Sequence, residues 1–167
     1  MKCVDNLLKD LRECDSIVKE QLQRSIVEIV ENPGEGDVGK VHYIPHHAVI
    51  RRDKSTTKLR VVYAASARSN GVVLNDCLYT EPPLAGNIFD VLFRFRAYRV
   101  ALTGNIEKAS LMVGMTEEDR DVLRFLWVDD IGKSSPEIVV LRFTHVVFRV
   151  SSSPFLLNAT IKHHIEG

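Results

Sequence analysis

The sequence predicts an α+β chain in which helices and antiparallel hairpins occupy separate stretches. Three observations carry this expectation. Apolar residues near the N-terminus recur at helical spacing, two pairs of extended runs are each separated by a polar stretch, and a Ser-Pro step opens a final helical run.

In chain order, Val4, Leu7, Leu8, Leu11, Cys14, Ile17, Val18 and Leu22 follow at three- and four-residue steps, which lines one side of a helix ending near Gln23. Ile26 to Val30 is short and β-branched, and the turn residues Asn32-Pro33-Gly34-Glu35-Gly36 close it as a strand. Val41 to Ile50 and Leu59 to Ala65 flank the polar stretch Asp53 to Thr57, which predicts a hairpin with a basic tip, and Pro45 assigns its first strand to an edge. Ser66 to Asn87, rich in Gly, Pro, Asn and Ser, reads as a long connection. A helix is expected around Ile88 to Phe95. Tyr98 to Thr103 then reads as a buried strand ending at Gly104-Asn105, with a helical turn after it. Val122 to Val128 and Ile138 to Phe143 flank the polar turn Asp129 to Glu137 as a second hairpin. Ser153 is the expected N-cap and Pro154 the first residue of a helix running through Phe155 to Ile165.

The 167 residues, 45% hydrophobic and 26% charged, suffice for one sizeable core. No apolar run has the roughly 20 residues of a membrane helix, and the N-terminus is charged and amphipathic, unlike a signal peptide; an intracellular protein, cytoplasmic or nuclear and not secreted, is expected. Cys3, Cys14 and Cys77 have neither disulfide-framework nor zinc spacing. The 22 basic and 22 acidic side chains balance, so overall charge does not point to nucleic acid. Locally, Arg51 to Arg60 carries five basic residues against one acid, and Arg94, Arg96 and Arg99 form a second cluster; either suits phosphate, and each alone suits solvated charge beside a turn.

Trp127-Val128-Asp129-Asp130 has the aromatic-x-Asp-Asp form of a polymerase metal box, but Gly132 to Pro136 after it is ordinary turn chemistry. Neighbouring histidines, as in His46-His47 and His163-His164, diverge on a strand or helix and form no clamp. Ser151-Ser152-Ser153 lacks the glycines of a nucleophile elbow, and no Walker-type loop is present.

The blocks VHYIPHHAVIRRDKSTTKLRVVYAAS, LNDCLYTEPPL, YRVALTGNIEKASLMVGM, DVLRFLWVDD and LRFTHVVFRVSSSPFLLNATI, in this order, resemble the reverse transcriptase of Bel/Pao-type long-terminal-repeat retrotransposons, from about Asp15 onward. The resemblance implies the fingers (about residues 1–97, with the N-terminal helix) and partial palm (about 98–167) of a right-hand polymerase, with magnesium as cofactor and template-primer and deoxynucleoside triphosphate as partners. By position, Arg60 matches the fingers arginine that grips the triphosphate, as a flat guanidinium fork suits phosphate oxygens, with Lys58 and Arg52 as helpers. Asn105 stands where the family has its first catalytic aspartate, and the Ile106 carbonyl would face the same metal. Ser110 takes the place of an aromatic under the sugar, while Phe148, Arg149 and Ser153-Pro154 match the nucleotide floor.

The departures bear on activity. Two-metal phosphoryl transfer needs carboxylates around ions about 4 Å apart, and Asn105 is neutral. The pattern also has Asp at Ala64, an aromatic at Ser110 and Gly at Arg149. The remaining aspartate pair would follow the helix opened by SSSPF, so the expectation is a domain truncated before the catalytic hairpin, with Asp129-Asp130 in a connecting turn. The leading expectation is a retrotransposon-derived fragment without polymerisation, weak nucleic-acid binding and self-association through an exposed palm edge. A co-opted module binding nucleic acid or protein, and half of a split or mis-predicted polymerase gene, stay open.

Overall fold

The computed structural model describes residues 2–36, 39–51, 59–69, 71–82 and 84–167. It is a mixed α/β arrangement with small antiparallel sheets. Helix α1 (Lys2–Gln23) leads into β1 (Val27–Ile29); β2 (His46–Ile50) and β3 (Leu59–Tyr63) pair as a hairpin. Two short strands, β4 (Arg68–Ser69) and β5 (Val72–Val73), precede α2 (Leu74–Cys77) and α3 (Ile88–Ala97). Two 3-10 turns, Ala109–Met112 and Glu117–Leu123, then lead to β6 (Arg124–Val128), β7 (Ile138–Phe143) and α4 (Ser153–Glu166). Among the described residues no helix is long and apolar enough to cross a membrane.

Among the described side chains of α1, those of the second half meet the core. Val18 is fully buried, which stabilises by about 1.5–3 kcal/mol, and Cys14 is buried near it, whereas Leu8 and Leu11 are exposed. The helix ends in a Schellman motif: Ser25 N–H donates to Leu22 O (3.0 Å) and Ile26 N–H to Gln21 O (2.9 Å). Ser25 takes the left-handed position of that motif, with φ 56°.

Strand β7 lies between β1 and β6, with Val27 opposite Phe143 and Phe125 opposite Leu141. The residues ahead of β2 join the same sheet in parallel: Ile44 N–H donates to Arg124 O (2.7 Å) and Arg124 N–H to His42 O (3.1 Å). Pro45, which has no N–H to donate, sits immediately before β2, whose ladder runs to β3 alone. The core is aromatic. The Tyr63 ring meets Phe125 and Phe143 edge-on at centroid distances of 5.0 and 4.7 Å, and its hydroxyl donates to Gln21 Oε1 (3.3 Å). Burial pushes the Tyr63 phenol well above its ordinary value.

Four expectations need correction or fall elsewhere. Tyr98 to Thr103 is not a buried strand: it is irregular chain, Val100 is 77% and Leu102 90% exposed, and no strand among the described residues pairs with it. A short apolar run becomes a strand only where its N–H and C=O groups find a neighbour. Ser66 to Asn87, expected as a long connection, carries structure of its own in its first half, which folds as β4, β5 and α2. Ser153 is not the N-cap of α4; Ser152 already has helical φ and ψ (−77°, −17°), and the buried Ser153 hydroxyl donates to Val147 O (2.6 Å). The basic tip, with Arg52 and Lys58, lies outside the described residues.

Candidate anion cleft and the nucleotide-site positions

Arg60 lies on β3 opposite Val49, with its side chain exposed. It borders a cleft of about 440 Å³ between α1, β3 and the Lys108–Leu111 turn. Arg24, just past the end of α1, and Lys108, ahead of the 3-10 turn, border the same cleft. Ile17, Leu59 and Leu111 give it an apolar side. Lys108 has a left-handed backbone (φ 51°), so two of the three non-glycine residues with positive φ among the described residues, Lys108 and Ser25, flank this cleft or its arginine.

Among the described residues that line the cleft there are three cations and one carboxylate, Glu20. Glu20 reaches Arg24 at 2.9 Å and Lys108 at 3.8 Å. Among the described residues Arg60 has no ion-pair or side-chain hydrogen-bond partner. A concave surface with excess guanidinium and ammonium groups suits phosphate oxygens chemically.

The other expected site residues do not converge on this cleft. Asn105 and Ile106 lie on exposed irregular chain, and Ser110 is half-buried in the first 3-10 turn, which packs on α4. Phe148 and Arg149 are exposed in the turn ahead of α4. Arg149 has φ 76°, so the position where the resemblance puts glycine has the backbone glycine favours.

Asn75 is the residue sequence reasoning missed, although it lies in the block LNDCLYTEPPL. Its amide donates to Ser66 Oγ (3.0 Å) and Arg149 O (3.2 Å) and accepts from Ser151 N–H (3.0 Å). The Ser151 hydroxyl donates to the main-chain carbonyl of Asn75 (3.3 Å). One side chain thus pins α2 to the Arg149–Ser151 turn. Arg24 and Lys108 were missed too. Nothing local marks Arg24, and Lys108 is an ordinary lysine until the backbone turns it toward α1.

Asp129 and Asp130 belong to the β6–β7 turn. The Asp129 carboxylate accepts from Asp130 N–H (2.7 Å) and Glu137 N–H (3.0 Å) and pairs with Lys133, and Asp130 accepts from Gly132 N–H (2.8 Å). Lys133, with the Glu137 amide next, holds the Asp129 carboxyl below the usual range. Both groups are satisfied by the turn itself.

Magnesium demands a near-octahedral set of hard, mostly anionic oxygens. The implied donors are a neutral amide at Asn105 and a carbonyl at Ile106 on exposed chain, and among the described residues no three His, Cys, Asp or Glu side chains are grouped to hold a metal ion. These described positions, a neutral amide and one carbonyl, do not fit the ion.

Compared with known proteins, the chain matches no protein-family model and no curated protein.

Proposed function

We propose that this chain is a reverse-transcriptase-derived domain of the Bel/Pao kind that keeps a phosphate-binding surface at Arg60 and does not polymerise. The observation that carries this reading is the cleft bordered by Arg24, Arg60 and Lys108, with Glu20 as the one carboxylate among its described lining residues. The left-handed backbone at Arg149, where the resembling pattern has glycine, supports the same alignment. Catalysis is not expected, because Asn105 brings no charge to the position where the family ligates its metal.

The test is binding of a deoxynucleoside triphosphate and of single-stranded RNA across a salt series. Affinity is expected to fall steeply as salt rises, and Arg60→Ala to weaken triphosphate binding more than Arg94→Ala. Equal losses would mean generic charge and would overturn the role given to Arg60. A binding module co-opted for another partner draws on a different observation: α3 exposes Phe89 and Phe93 (82% exposed) beside Arg94 and Arg96. That reading is favoured if Arg94→Ala causes the larger loss.

The second arm is primer extension on RNA with magnesium and, separately, manganese. Neither the chain nor its Asn105→Asp variant is expected to extend, since one restored carboxylate leaves the rest of the metal set unmade. Extension would overturn the reading.

A further inference from the structure

The Arg24–Arg60–Lys108 cleft already contains an anion of its own. Glu20 projects from α1 one turn before Arg24, pairs with it at 2.9 Å and approaches Lys108 at 3.8 Å. Both cations and the carboxylate are about half exposed, so these pairs are cheap to break in water. Lys108 reaches Glu20 from a left-handed backbone, a conformation a non-glycine residue adopts at a cost and keeps where its surroundings impose it. Arg60, on the opposite wall, has no such partner among the described residues.

We infer that Glu20 is an internal counter-ion of this cleft, which an incoming polyphosphate must displace from Arg24 and Lys108, so that Glu20 sets the affinity and salt sensitivity of the site. The inference rests on the phosphate-binding reading above. Displacement frees two cations for the ligand and leaves the carboxylate in solvent, where it repels the bound phosphates. A ligand carrying one negative charge gains little from this exchange, while a triphosphate can contact all three cations at once. The cleft should therefore discriminate by charge number.

The test compares the full chain with Glu20→Gln and with Glu31→Gln, an exposed carboxylate outside the cleft whose loss changes net charge equally. The probes are inorganic tripolyphosphate, inorganic phosphate and a deoxynucleoside triphosphate, titrated without metal. Glu20→Gln is expected to tighten tripolyphosphate and deoxynucleoside triphosphate binding on the order of five- to tenfold, the effect of one unit charge at contact distance in a largely aqueous setting. Glu31→Gln should change it less than twofold, and Lys108→Met placed on Glu20→Gln should remove most of the gain. Circular dichroism of each variant checks that α1 is intact. If the parent chain binds and Glu20→Gln leaves affinity unchanged, or both carboxylate variants gain equally, the counter-ion role is overturned and the binding site stands. If neither parent nor variant binds any probe, both fall together.

Discussion

At the scale of single residues, Arg149 bears a φ of 76°, a left-handed backbone that is strained for a residue with a Cβ. Arg149→Gly is expected to stabilise the chain by about 1 kcal/mol, read as a higher urea midpoint with unchanged slope. A lower midpoint would mean that the arginine side chain makes contacts worth more than the strain. Asn75 should behave oppositely. Its amide serves Ser66, Arg149 and Ser151 together, so Asn75→Ala is expected to cost about 1–3 kcal/mol and to loosen the turn that carries Phe148 and Arg149. Amide exchange at Ser151, whose N–H donates to Asn75, reports that loosening directly.

Among the elements, those with a strong local pattern were legible in the sequence. Helix α1, both hairpins and α4 follow from apolar spacing and from Asx-, Gly- and Pro-rich turns, and the Asp129-Asp130 pair was recognisable as turn chemistry from Gly132 to Pro136. Tyr98 to Thr103 was misread because a short apolar run states only what a strand would look like; the ladder partner that makes one is a property of the rest of the molecule. Asn75 was illegible for the same reason, as its partners at residues 149 and 151 become neighbours only on folding. Of the candidate site, Arg60 was legible and its companions Arg24 and Lys108 were not. The Schellman end of α1 offers a check at this scale: Ser25→Gly removes a Cβ from a left-handed position and should add about 0.5–1 kcal/mol, measured by thermal or urea unfolding.

Across the whole molecule, charge and exposure set the behaviour. Glu28 pairs with Arg142 (2.6 Å) and Arg120 (3.3 Å), and Asp121 pairs with Arg124 (2.9 Å) and Arg142 (2.8 Å), so one chain of ion pairs spans all three strands of the main sheet. Arg124, only 1% exposed, also donates to the carbonyls of Pro33 and Glu35. The Arg124 guanidinium, with Arg142 also contributing, holds the Asp121 carboxyl below its ordinary 3.8, and burial holds the His42 and His46 imidazoles below 6.5. In each case the unfolded chain takes up the proton more readily. Stability is therefore expected to be full above about pH 6.5, to decline as pH falls and the histidines protonate on unfolding, and to decline again below about pH 4 as Asp121 does. Urea midpoints measured from pH 8 downward would check this, and a midpoint that rises on acidification would contradict it. Exposure of Phe89, Phe93, Val100 and Leu102 along one continuous stretch also predicts that the isolated chain associates at micromolar concentration, with sedimentation as the readout and a monodisperse monomer as the opposing result.

The pairing of Val27 with Phe143 has a further consequence during synthesis. Strand β1 leaves the ribosome long before its neighbour β7 exists, so α1 and β1 wait with Val18, Ile26 and Val27 unburied while the intervening chain is made. The β2–β3 hairpin can close early because its strands are adjacent in sequence, but the main sheet closes late and over a long loop, which slows folding and prolongs contact with chaperones. Swapping slow for fast codons ahead of β7 should then change the yield of folded chain, whereas the same swap between β2 and β3 should not.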